Sequence, residues 1–156
     1  MIQRIQTIFL ALIAVAMGIV LGFPIWEKVG SNNESAQLTA LQLTHTQGVT
    51  TFVTPVWYLA LLGVIVIGVS IYTIFQYRNR VLQMGMCAIN AILLTAMMGV
   101  VLYSTLYKGK EFFNPTDQGN FTTGFYALVA ALIFNMFANR FIRRDEKLVQ
   151  ESNRLR

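Results

Sequence analysis

The chain carries one cysteine, one histidine and three prolines in 156 residues, and only 12% of its residues are charged. A membrane thiol oxidoreductase needs at least one cysteine pair to exchange a disulfide, so a lone Cys87 excludes that class. Cys87 lies inside an apolar stretch and reads as a small buried residue. His45 has no second histidine at helical spacing, the apolar stretches hold no carboxylate pair, and no glycine-rich phosphate loop is present. The chain is therefore expected to be no enzyme, with no catalytic residue, no cofactor and no metal site. His45 reads as a solvated turn residue in the first long loop. The scarcity of charge excludes a soluble bundle as well, since soluble helices need polar faces, and a charged share of 12% is about half the usual one.

What the chain has instead is four unbroken apolar stretches, at 5–23, 55–77, 81–107 and 122–142, free of Asp, Glu, Lys and Arg except for Arg140 near the end of the fourth. A hydrocarbon core of about 30 Å needs about 20 helical residues to cross it, and an unpaired charge at its centre is costly. Each stretch is long enough and clean enough to span. The expected fold is an all-α membrane protein, a bundle of four transmembrane helices forming one domain over 1–156, with an outer loop at 24–54 and a cytoplasmic helical tail at 143–156. Ala14-Val15-Ala16 matches a small-x-small cleavage pattern, but the apolar run continues to Phe23, so the first stretch is read as a retained span.

Nine of the twelve basic residues fall on one side of this arrangement: Arg4, Arg78, Arg80, Arg140, Arg143, Arg144, Lys147, Arg154 and Arg156. Lys28, Lys108 and Lys110 fall on the other, among four acidic residues. The positive-inside rule then places both termini in the cytoplasm. The net charge of +5 reflects topology and anionic headgroups rather than nucleic acid, because no basic surface interleaved with aromatics is present.

Arg78-Asn79-Arg80 is a minimal turn, which makes the second and third helices antiparallel neighbours. In the outer loop, 38–44 and 49–53 are β-branched and partly alternating around His45-Thr46-Gln47-Gly48. They predict a small antiparallel β-hairpin with Gly48 at positive φ, packed on the helix ends or joined by a strand from 110–113. Trp26, Trp57 and Tyr58 are expected at the outer interface.

Gln6, Gln83, Asn90, Asn135 and Asn139 interrupt the apolar helices. An unpaired amide in hydrocarbon is costly, so these side chains should face the bundle, a cavity or a partner. They are the candidate intramembrane polar contacts, either as interhelical bonds or as a polar route. Small residues recur every fourth position at Ala14, Gly18 and Gly22, at Cys87, Ala91, Thr95 and Gly99, and at Ala127 and Ala131. Such stripes allow close helix approach, within the bundle or to another subunit. In the tail, Phe141, Leu148 and Leu155 recur every seven residues beside Ile142 and Val149. With Arg78, Arg80, Arg143 and Arg144 they are the candidate contacts to a partner or to lipid.

The opening Met1-Ile2-Gln3-Arg4-Ile5-Gln6-Thr7, the Tyr77-Arg78-Asn79-Arg80-x-x-Gln83 turn and the closing Asn139-Arg140-x-Ile142-Arg143-x-Asp145-Glu146-x-Leu148-Val149 with Arg154-Leu155-Arg156 resemble the small inner-membrane proteins of domain-of-unknown-function family 4293, from Bacteroidota. The resemblance implies a bacterial inner-membrane location and four spans, and implies no activity. Four spans with a strand-bearing first outer loop is also similar to the claudin-like architecture, without the paired loop cysteines. The expected role is a non-enzymatic structural or accessory subunit of a membrane complex, bound to lipid and to a membrane-protein partner. The competing role is a small transporter or channel component using the intramembrane amides.

Overall fold

A computed structural model of the chain describes residues 2–30, 34–76, 79–112 and 118–154, with side chains for 5–30, 34–76, 79–109, 111–112 and 118–149. Four helices long and apolar enough to cross a membrane dominate it. Helix α1 (Ile2–Gly22) stops before Pro24, whose ring cannot continue a helix. Helix α2 (Trp57–Phe75) follows Pro55. Helix α3 (Arg80–Tyr103) is capped by Asn79, whose Oδ1 accepts from the Leu82 amide at 3.2 Å, so the expected tight turn exists from Asn79 onward. Helix α3 runs on through a π-helical segment (Ser104–Lys108) and one more α-turn (Gly109–Glu111). Helix α4 (Thr123–Arg154) has 32 residues, about 48 Å at 1.5 Å per residue, and so outruns a 30 Å hydrocarbon core.

Packing closes these helices into a ring in which α1 meets α4 and α2, and α3 meets α4 and α2. The centre is filled by Leu10, Ile13 and Met17 of α1, Leu59 and Val66 of α2, Leu94 and Met97 of α3, and Leu128 and Ile142 of α4, all fully buried. The apolar outer faces stay exposed, as at Val64, Ile65, Ile71, Ile92 and Ile133. A protein with both a close-packed interior and an apolar exterior suits hydrocarbon as its solvent.

Outside the bundle the structure departs from the single hairpin. The loops form a five-stranded antiparallel sheet in the order β4-β3-β2-β1-β5, with β1 (Trp26–Val29), β2 (Ser35–Leu38), β3 (Gln42–Gln47), β4 (Thr50–Pro55) and β5 (Asn120–Phe121). The β3–β4 hairpin is present, with Gln47 opposite Thr50 and Gly48 at φ +60 as expected. Its first strand starts at Gln42, because a tight turn over 39–42, closed by Thr39 N–H to the Gln42 carbonyl, separates it from β2. The extra strand comes from Asn120–Phe121 pairing with β1; the candidate at 110–113 continues the helical turn to Glu111, and its last residue, Phe113, lies outside the described residues. His45 is correspondingly a strand residue, half-buried with its ring 4.3 Å from that of Phe112.

The sheet is bolted to the bundle through β1. Trp26 and Lys28 share the inward face with Ala36 and Leu38 of β2, and all four are buried. Trp26, expected at the lipid interface, is instead core, and its Nε1 donates to the Gln118 carbonyl at 2.9 Å. Lys28 Nζ donates to the carbonyls of Gly109 (3.2 Å) and Phe112 (2.8 Å), a cation set against the carbonyl end of the α3 extension. Beside it, the Pro24 carbonyl accepts from the Gly124 amide and the Thr122 hydroxyl, tying the start of β1 to the start of α4.

Candidate functional site

Within the apolar bundle the amides form interhelical staples. Gln6 of α1 donates through Nε2 to the Phe141 carbonyl of α4 at 3.2 Å. Asn135 of α4 donates through Nδ2 to the Cys87 carbonyl of α3 at 3.1 Å. The α2–α3 seam has two: Asn90 Nδ2 to Ser70 Oγ at 2.7 Å, and Gln83 Nε2 to the Thr73 carbonyl at 3.3 Å. Gln6, Gln83, Asn90 and Asn135 are all buried, and the nitrogen of each amide donates to a neighbouring helix, which satisfies the donor half of the group away from water. Asn139 differs: half-buried at the end of α4, it accepts from Arg143 Nε at 3.3 Å within its own helix.

Ser70 and Thr73 complete the α2 side of this seam, beyond the amides that the sequence makes conspicuous. Their signal is two hydroxyl residues three apart in an otherwise apolar helix, which places both on one face. Asn90 and Asn135 each keep a buried Oδ1 with no hydrogen-bond partner among the described residues. We expect the Asn90–Ser70 pair to show a coupling of about 0.5–2 kcal/mol in a cycle of Asn90→Ala, Ser70→Ala and the double variant, measured by denaturation in mixed detergent. A coupling of zero would mean that the pair contributes nothing to the α2–α3 seam.

The small-residue stripes divide. Ala127 and Ala131 are buried within the bundle, whereas Gly18, Gly22, Thr95 and Gly99 are exposed. A Cβ added at Gly18, Gly22 or Gly99 would meet nothing within 4 Å among the described residues. On α3 the open stripe borders an apolar cavity of about 420 Å³ lined by Ala91, Ile92, Thr95 and Ala96.

At the opposite end from the sheet the basic residues gather. Arg80 Nη1 donates to the Asp145 carbonyl at 2.9 Å and lies 3.2 Å from Asp145 Oδ2, joining the start of α3 to the end of α4. Phe141 stacks on Phe9 of α1 with centroids 5.5 Å apart, so its ring and its carbonyl both serve the α1–α4 seam. Leu148 is exposed, as are Arg143 and Arg144; Arg78 and Leu155 lie outside the described residues. The heptad face of the tail thus divides, with Phe141 taken up by α1 and Leu148 left open. An open cavity of about 540 Å³ follows another face of α4, lined by Met136, Asn139, Arg140, Arg143, Arg144 and Lys147. Arg140 and Lys147, which in the sequence signal only the basic side, thus line the same cavity as Arg143 and Arg144.

No curated protein matches the chain. The family described as Domain of unknown function (DUF4293) matches over residues 2–155, which covers the four helices and the sheet strands between them, and the chain belongs to that family.

Proposed function

We propose that the protein is a multi-pass protein of the bacterial inner membrane, with both termini cytoplasmic, and that it serves as a non-enzymatic structural or accessory subunit of a larger membrane assembly. The observation that carries this reading is a pair of open small-residue stripes, one on α1 and one on α3. Gly18 and Gly22 of α1, and Thr95 and Gly99 of α3, present backbone to the outside of the bundle where a neighbouring helix can approach closely. Lipid gains nothing from such a surface that a leucine would not provide. A second helix gains close backbone contact.

The intramembrane amides support a structural role in turn, because four of them are engaged in holding α1 to α4, α2 to α3 and α3 to α4. The orientation rests on the gathering of Arg80, Arg140, Arg143, Arg144 and Lys147 at the end remote from the sheet. The competing reading, a small transporter or channel component, is favoured by the two unbonded buried oxygens of Asn90 and Asn135.

Affinity purification in a mild detergent followed by mass spectrometry separates the two. We expect a membrane protein to co-purify in stoichiometric amount, and Gly18→Leu with Gly99→Leu to reduce its recovery about tenfold or more while the bundle stays folded, since neither position has an internal neighbour to displace. A monodisperse single protein, together with solute flux in proteoliposomes that Asn90→Ala and Asn135→Ala abolish, would overturn the subunit reading in favour of transport.

A further inference from the structure

We infer that the groove on the end of α4 is a discrete binding site for an anionic phospholipid whose headgroup carries two phosphates. The inference rests on the membrane reading given above. It begins from spacing: Met136, Asn139, Arg140, Arg143, Arg144 and Lys147 follow one another by three or one residues, which places all of them on a single face of α4. This face bounds an open cavity of about 540 Å³, within the range of about 300–1,000 Å³ common for ligand sites.

Charge decides what it would take. Four cations line the cavity and no acidic residue does so among the described residues. Asp145 points to the opposite side of the helix, where it pairs with Arg80 at 3.2 Å. Glu146 flanks the face by helical spacing, and counting it still leaves an excess of three positive charges. Arg143 donates through Nε to Asn139 Oδ1 at 3.3 Å, which lays its guanidinium along the same face as the cavity. Arg140 with Arg144, and Arg143 with Lys147, are at i,i+4 spacing. Each pair can flank one phosphate, and guanidinium matches phosphate oxygens bidentately. Two pairs therefore suit two phosphates.

Depth argues for a lipid rather than a free phosphate. Counting about 20 residues of hydrocarbon from the start of α4 at Thr123 brings the helix out of the core near Arg143. Arg140, Arg143 and Arg144 then stand at the level of the headgroup phosphates, with Lys147 one turn farther out. Met136, on the same face, is 61% exposed and lies within the acyl region. A ligand filling the groove touches cations at one end and an apolar thioether at the other, as a phospholipid does. Cations at several depths along one face also distinguish a site from a positive collar at a single depth.

The test is native mass spectrometry of the intact protein released from nanodiscs containing phosphatidylcholine, phosphatidylglycerol and diphosphatidylglycerol in equal amounts. We expect one diphosphatidylglycerol to remain bound under activation that removes the other two lipids. Arg143→Gln with Arg144→Gln should reduce that retention about tenfold or more, while the charge-matched Arg4→Gln with Arg78→Gln leaves it within about twofold. Equal retention of phosphatidylglycerol, or equal losses in the two double variants, would overturn the site and leave only generic attraction of anionic lipid. Membrane insertion is read separately, by carbonate extraction of the same cells. A protein that stays in the membrane but holds no lipid defeats the site alone, whereas one that is extracted defeats the membrane reading beneath it.

Discussion

Gly119→Ala should lower the stability of the solubilised protein by about 2–4 kcal/mol, combining a left-handed backbone that alanine resists with a steric overlap. Gly119 has φ +70, and a Cβ built on it would lie 2.7 Å from the Glu27 carbonyl, 2.8 Å from Cζ2 of Trp26 and 2.9 Å from Cβ of Lys28. Two of these atoms are strand backbone or attached directly to it, so they cannot move without displacing β1. The strain term is isolated by Gly48→Ala in the β3–β4 turn, where φ is +60 but nothing lies within 4 Å among the described residues. That variant should cost only about 1 kcal/mol. Thermal unfolding in a mild detergent, followed by the fluorescence of buried Trp26, measures both. Equal costs for the two variants would show that β1 yields to the added methyl group.

Lys28→Met should cost a similar amount, about 2–4 kcal/mol, because methionine keeps the apolar stem and removes only the ammonium. The carbonyls of Gly109 and Phe112 then lose the donor that meets them in a buried place. An unpaired buried acceptor costs about 1–3 kcal/mol. The loss falls where the α3 extension meets the sheet, so the variant should also raise amide exchange in β1 while leaving the centre of the bundle protected. Glu27→Gln, one residue away and half-buried, is the control and should stay within about 0.5 kcal/mol of wild type. A Lys28→Met protein as stable as the control would mean that the carbonyls find other donors.

The spans were legible because nothing interrupts their apolar runs, and the turn at Asn79 because a polar cap stands between two of them. The amides were legible as buried groups for a related reason: hydrocarbon leaves an amide few places to go. Their partners were less so, since a bond to a backbone carbonyl such as that of Phe141 or Cys87 leaves no residue-type signal. The sheet was legible only in its outer hairpin, where β-branched residues and Gly48 mark strands and turn. Strand β1 reads Trp-Glu-Lys-Val and β2 reads Ser-Ala-Gln-Leu. Adjacent charges break the alternation of β1, and the alternation of β2 spans only four residues, too few to separate a strand from a loop. Their pairing is set by tertiary contact, above all by the burial of Trp26 and Lys28 together. The charged tail misled in one respect: its seven-residue spacing is real, but Phe9 meets Phe141 first.

The central claim is that the bundle crosses a membrane with its sheet outside and its basic end in the cytoplasm. Single cysteines at Val49, fully exposed in the β3–β4 turn, and at Asn79, between α2 and α3, test it in a Cys87→Ser background. A membrane-impermeant maleimide applied to cells with a permeabilised outer membrane should modify position 49 at once. Position 79 should react only after the inner membrane is broken. Labelling of position 79 from the periplasmic side, or of both positions alike in intact cells, would contradict the account.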